Sequence, residues 1–188
     1  MREIKTIGEE ILKTMAKEVE LTLIKDKMGI VDEMVKIMRA NKGVGIAAPQ
    51  VGVAERIVVI EIGDNERYPN VAKMPLTIMI NPQIYIIDGE KEDGYEGCLS
   101  VPGIRGLVPR YKRIKVDYIN EKGEAQIKEL EGFPARVAQH EIDHLNGIVF
   151  IERVEDKKSF ITDENYSKFI LKDNQRHKKE KSTFELSR

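Results

Sequence analysis

The chain has 188 residues, enough for one domain to bury a core without disulfides or a structural metal, and its 41% apolar and 34% charged residues suit a globular protein. A formal net charge of -1 excludes a global field that would gather nucleic acid or acidic substrates. The single cysteine, Cys98, cannot pair within the chain, the opening MREIKTIGEEILK is charged where a secretory signal needs an apolar run, and no segment approaches the ~20 consecutive apolar residues of a membrane span. The expectation is a soluble protein of a reducing compartment, the bacterial cytoplasm or else an organelle, with no membrane partner.

Residues 28 to 41 place Met28, Val31, Met34, Val35 and Met38 at helical spacing, with Gly43 as the stop. The segment GVGIAAPQVG, residues 43 to 52, formally satisfies G-x-G-x-x-A through Gly43, Gly45 and Ala48. A dinucleotide fingerprint needs a strand before it and a helix after it; here a helix precedes and Pro49 interrupts, so no dinucleotide cofactor is expected. Two readings stay open: a connection whose small residues allow tight packing, or a loop whose glycines admit a substrate backbone while Gln50 offers an amide N–H. Such a donor aimed at a developing oxyanion contributes about 3 kcal/mol.

RIVVIEI (56 to 62), LTIMINPQIYIID (76 to 88, broken near Asn81-Pro82) and KRIKVDYI (112 to 119) are rich in β-branched and aromatic residues and read as strands. The turn from Asn120 to Gly123 leads to a partner strand over 124 to 131. Gly132-Phe133-Pro134 then breaks the strand and starts a helix running to about Asn146, stopped by Gly147. A short helix after Thr162 should bury Tyr166, Phe169 and Ile170. The fold expected is α+β: mainly antiparallel or mixed sheets around a central helix carrying HEIDH, with an N-terminal and a C-terminal helix. Residues 1–171 form one domain in this reading, and 172–188 a polar tail with few groups to bury.

That central helix carries AQHEIDHLNG, residues 138 to 147, of the form H-E-x-x-H. At about 100° per residue, His140 and His144 fall on one face and can reach one ion, while Glu141 sits at the edge of that face, placed to act as a general base on water. A solvated surface helix is the plain alternative. A catalytic site needs a third ligand, and the longer H-E-x-x-H-x-x-G-x-x-H pattern is matched through Gly147 but holds Phe150 at the last position. The remaining histidine, His177, lies in the lysine-rich tail, while Glu155 and Glu164 keep a zinc endopeptidase with a downstream glutamate open.

EGCLS, residues 96 to 100, lies among Gly94, Gly97, Pro102, Gly103, Gly106 and Pro109 and reads as a bent loop able to bring Cys98 to the helix. A lone cysteine is ordinarily a small buried apolar residue, but two histidines lacking a third partner favour it as a ligand. Cys/His/His with an open position suits zinc or, under reducing conditions, ferrous iron. A nucleophilic Cys98 is the competing chemistry, and it leaves Glu141 unexplained.

Together GVGIAAPQ, EGCLS and QHEIDHLNG resemble, in order and spacing, the three signature motifs of the peptide deformylase family; the first ~25 residues and the tail add little to the likeness. The resemblance implies that Cys98, His140 and His144 hold one divalent ion, natively Fe²⁺, with Zn²⁺, Ni²⁺ or Co²⁺ able to replace it. It makes Glu141 the acid/base, gives the formyl oxygen to Gln50 and the backbone N–H of Leu99, and lays Gly45 and Ile46 along the substrate. Arg105 matches an arginine near the bound peptide in some members, a surface role being its alternative. The reaction implied is removal of the formyl group from nascent N-formyl-methionyl peptides. For the methionine side chain, Phe133 and Val137 beside Ile46 offer an apolar pocket, with Arg136 as a rim. IGEEILK lacks the proline-containing start common in the family. Arg176, Lys178, Lys179 and Lys181 read either as a solvated tail or as a contact to ribosomal RNA. Whether Cys98 is a ligand separates the deformylase from the endopeptidase.

Overall fold

The structure, a computed structural model, describes residues 2–64 and 71–171; the tail from 172, with His177 and the basic cluster, lies outside the described residues. The architecture is α+β with antiparallel sheets, as expected. Five strands, β1 (Gly45–Ala47), β2 (Ile57–Ile62), β3 (Met74–Ile86), β6 (Arg113–Ile119) and β7 (Ala125–Glu131), form one sheet in the order β1-β2-β3-β6-β7. A second sheet has the order β4-β5-β8, from β4 (Lys91–Cys98), β5 (Val101–Tyr111) and β8 (Ile161–Thr162).

The two longer helices cover opposite faces of the first sheet. Helix α1 (Ile24–Ala40) buries Ile24, Val31, Met34, Val35, Ile37 and Met38. It packs its stripe on Ile57 and Val59 of β2, whereas α2 (Phe133–Leu145) meets Val58 and Ile60 with Ala135, Ala138, Ile142 and Leu145. Because β2 alternates between two cores, its apolar run is continuous, the pattern of a strand buried on both faces. Helix α1 starts before Met28, since Ile24 extends the same stripe into the core. The left-handed turn after it is taken by Lys42 (φ 54°) and not by Gly43, whose N–H donates to Met38 O at 2.9 Å.

Strand β3 is not broken at Asn81-Pro82. It carries a register shift between Ile80 and Gln83, with Asn81 at φ 51°. The Asn81 side chain accepts from Val19 N at 2.8 Å and donates to Val19 O at 2.9 Å, so the bulge pins the N-terminal segment. The larger correction concerns residues 91 to 111, which are a long hairpin and not a bent loop. Cys98 pairs with Val101 across the Leu99-Ser100 turn after a register shift at Gly97. Its glycines serve clearance: a Cβ on Gly94 would stand 2.7 Å from Arg136 Cζ, and one on Gly106 2.7 Å from Val154 Cγ2.

Helix α2 follows Gly132 (φ 61°), has Pro134 in its first turn, and ends at Leu145, with Asn146 as its C-cap and Gly147 (φ 72°) just beyond, close to the expected bounds. Pro134 through Leu145 are all buried, including six polar or charged residues. The C-terminal helix is a short turn, α3 (Asp163–Asn165), continuing as a π-helical turn over Tyr166–Leu171. Its wider spacing buries Tyr166 but leaves Phe169 exposed and Ile170 only partly covered, against the expectation for both. Among the described residues no helix is long and apolar enough to cross a membrane.

Candidate metal centre and active site

Two elements meet at the site: the α2 face carrying His140 and His144, and the β4 end carrying Cys98. The ligating atoms of these three residues lie within 4.8 Å of one another, and Cys98 Sγ is 3.2 Å from His144 Nε2. Glu155 and Glu164 are not part of this cluster, which removes the downstream glutamate as a ligand. Phe150, standing where the longer protease pattern has a histidine, is buried and stacks on His140 with ring centroids 6.1 Å apart.

His140 is oriented from behind. Its Nδ1 donates to Glu96 Oε2 at 2.8 Å, which turns Nε2 toward the cluster. Glu96 also receives Arg110 through Nε at 2.9 Å and Nη2 at 3.0 Å, and Arg136 Nη1 at 3.0 Å. Arg110 Nη1 reaches Asp143 Oδ2 at 2.5 Å, and Arg153 closes the chain on Asp143 at 2.7 and 3.1 Å. Burial alone would raise the Glu96 carboxyl, but His140 and Arg110 outweigh it and hold it down to about 2. Burial opposes the Arg110 charge too, yet Glu96 and Asp143 keep its pKa above the ordinary value. Alternating charges satisfy one another where single ones would be costly.

Burial pushes the Cys98 thiol up, but His144 and His140 beside it prevail and hold it well below its usual range. His140 is likewise held above its ordinary value: burial lowers it, and Cys98 and Glu96 raise it more. A half-buried thiolate and two buried imidazoles, converging, fit a divalent cation such as zinc or ferrous iron.

Glu141 is different in kind. Burial lifts its carboxyl to about 7, with His140 and His144 pulling down and Cys98 and Glu96 pushing up. Its Oε2 is buried without a hydrogen-bond partner. The room for it comes from Gly45, where a Cβ would stand 2.5 Å from Glu141 Oε1, so this glycine clears space for the Glu141 carboxylate. Gln50 accepts from Ala47 N at 2.8 Å through Oε1, which commits its Nε2 to the site, 3.4 Å from Cys98 Sγ and 3.2 Å from Ser100 Oγ.

A cavity of ≈ 270 Å³ opens onto these groups, and Gly45, Gln50, Leu99, Arg105, Phe133 and Val137 line it with His140 and Glu141. Ile46 does not line it: its side chain is fully buried in the core under α1, because successive residues of β1 face opposite sides. Arg136 also lines the cavity, and it is a brace as well. Its guanidinium donates to the carbonyls of Glu92 (2.7 Å), Gly94 (3.3 Å) and Val108 (2.7 Å) as well as to Glu96.

Sequence reasoning missed Glu96, Asp143, Arg110 and Ser100. The signal was present for the first two, since both acids sit inside the motifs and a ligating histidine needs an acceptor behind it. It also undervalued the N-terminus: Lys5 N donates to Gln50 O at 2.8 Å, Ile7 N to Ser100 O at 2.9 Å, and Ile4 reaches the cavity.

Comparison with known proteins agrees with this geometry. The family described as polypeptide deformylase matches residues 1–160, N-terminal segment included. Peptide deformylase 2 of Ralstonia nicotianae is 42% identical over 160 residues, covering 85% of this chain and 90% of that protein. Peptide deformylase 2 of Bordetella bronchiseptica is 44% identical over 154 residues, covering 82% and 88%. Among solved structures, the class I type b peptide deformylase of Acinetobacter baumannii with Met-Ala-Ser bound superposes with a TM-score of 0.80 at 41% identity, over 82% of this chain and 98% of that one. Matched from its first residues through all three motif segments, the chain belongs to the polypeptide deformylase family, with Cys98, His140 and His144 as its metal-binding site.

Proposed function

We propose that this peptide deformylase hydrolyses the formamide bond of nascent N-formyl-methionyl peptides, releasing formate, with residues 1–171 as one catalytic unit. The observation that carries the reading is Glu141: a buried carboxyl with an unpartnered oxygen, beside a Cys/His/His cluster and facing a cavity. A bound divalent ion supplies Lewis acidity, which makes water acidic near neutral pH and polarises the formyl carbonyl. Cys98, His140 and His144 hold that ion, Fe²⁺ in the cell, with Zn²⁺, Ni²⁺ or Co²⁺ as replacements. Glu141 accepts a proton from the attacking water and delivers it to the methionine amine as the C–N bond breaks. Gln50 Nε2 and the Leu99 backbone N–H donate to the formyl oxygen as negative charge develops on it.

Gly45 and the backbone of Ile46 lie on β1, an edge strand of its sheet, and so are free to pair with an extended peptide. Phe133 and Val137 give the methionine side chain an apolar wall, and Arg105 lies along the residues that follow. The tripeptide bound to the A. baumannii relative supports a peptide in this cavity. The bacterial cytoplasm suits an oxidisable thiolate site, and the tail from 172 remains a candidate ribosome contact.

Protein purified without oxygen is expected to hold one divalent ion per chain and to release formate from formyl-Met-Ala-Ser. Cleavage of internal peptide bonds with no formate would replace this reading with a zinc endopeptidase. The ferrous form should lose activity in air faster than a zinc or nickel form, since Fe²⁺ and the thiolate both oxidise.

A further inference from the structure

The two donors assigned to the formyl oxygen come from distant segments: Gln50 from the 3₁₀ turn Ala48–Val51, and the Leu99 N–H from the Leu99-Ser100 turn that joins β4 to β5. Their spacing has to be held, because a donor helps only where the oxyanion forms. One side-chain hydrogen bond spans the gap. Gln50 Nε2 donates to Ser100 Oγ at 3.2 Å, with Ser100 fully buried and Gln50 2% exposed. Gln50 and Leu99 line the cavity, whereas Ser100 does not, so its hydroxyl stands behind the donors.

That bond removes the last rotation of the amide. Ala47 N can only donate, so it fixes Gln50 Oε1 on its own side at 2.8 Å and leaves Nε2 on the other. The amide nitrogen carries two N–H groups; with one on Ser100 Oγ, the other is left for an oxygen entering the cavity. Cys98 Sγ, 3.4 Å from the same nitrogen, is the competing acceptor, and without the hydroxyl the amide is free to turn toward it. Both ends of the bond are tied to one stretch of the N-terminus, Lys5 N donating to Gln50 O at 2.8 Å and Ile7 N to Ser100 O at 2.9 Å. Ser100 N in turn donates to Cys98 Sγ at 3.4 Å.

We propose that Ser100 is a positioning residue of the oxyanion site: its hydroxyl holds the Gln50 amide at the place, relative to the Leu99 N–H, where both can reach the formyl oxygen. The inference rests on the deformylase reading and adds a residue that acts on the reaction through Gln50. Removing the hydroxyl leaves Gln50 in place but lets its donor point elsewhere.

The test measures kcat and KM for formate release from formyl-Met-Ala-Ser with wild type, S100A, Q50A and Q50A/S100A, each purified without oxygen and assayed for its divalent ion. S100A should keep the ion and lower kcat about 10–30-fold with KM within about twofold, while Q50A lowers kcat about 10²–10³-fold. The double variant should match Q50A within about twofold, because a residue that acts through Gln50 has nothing left to act on once the amide is gone. A merely structural serine would make the two losses multiply. Losses that multiply, an S100A enzyme as fast as wild type, a Q50A enzyme as fast as wild type, or loss of the ion from S100A overturns the proposal while leaving the deformylase reading in place. Absence of formate with the wild-type enzyme would overturn both.

Discussion

Helices α1 and α2 pack on opposite faces of one sheet and have opposite characters. The first buries an apolar stripe and leaves its polar residues exposed or half-buried, so hydrophobic burial accounts for it. The second buries Arg136, Gln139, His140, Glu141, Asp143 and His144 along with its apolar residues. Hydrophobicity does not explain that choice, because buried charges stabilise only when partnered and otherwise cost several kcal/mol. A helix that buries charge on all sides is held for what its charges do.

The contrast can be broken from either side, and the largest effect belongs to the buried network. Arg110→Ala leaves Glu96 and Asp143 facing each other without their shared cation, and chemical denaturation should show a loss of about 3–5 kcal/mol. On the other face, Met34→Ala removes a fully buried side chain from α1 and should cost about 2–5 kcal/mol while leaving the affinity for Zn²⁺ unchanged. If Met34→Ala weakened Zn²⁺ binding as much as a ligand change, the division of labour between the helices would be wrong.

Glu141 sharpens the comparison through pH. With its carboxyl at about 7 against an ordinary 4.5, folding favours the neutral form. Its contribution is therefore present at low pH and lost as pH rises through 7. In chelated protein at about pH 8, Glu141→Gln should be more stable than wild type by roughly 2–3 kcal/mol, and the gap should close toward about pH 4. Glu96→Gln is the mildest change: it keeps a hydrogen-bond acceptor for His140 but drops the charge, and a competition titration should show Zn²⁺ affinity falling roughly 10–100-fold. Unaltered affinity would make Glu96 a fold residue alone.

These effects also divide what was legible in the sequence from what was not. Both helices could be read because their spacing is local, and His140, Glu141 and His144 share one turn. The hairpin of β4 and β5 was hidden because Gly94, Gly97 and Gly106 look like turn residues, while each actually makes room for a side chain from elsewhere: Arg136, Arg105 and Val154. Glu96 was passed over because its partner His140 is 44 residues away, and Ile46 was misplaced because a three-residue strand turns alternate side chains to opposite cores. Local periodicity carries the elements, whereas the clearances and counter-charges exist only after distant segments meet.

The central claim is that three residues hold the ion and a fourth moves the proton. Glu141→Gln, purified without oxygen, should retain one divalent ion per chain while kcat for formate release from formyl-Met-Ala-Ser falls about 10²–10⁴-fold. Near-normal turnover with the ion in place, or loss of the ion equal to that of Cys98→Ala, would contradict it.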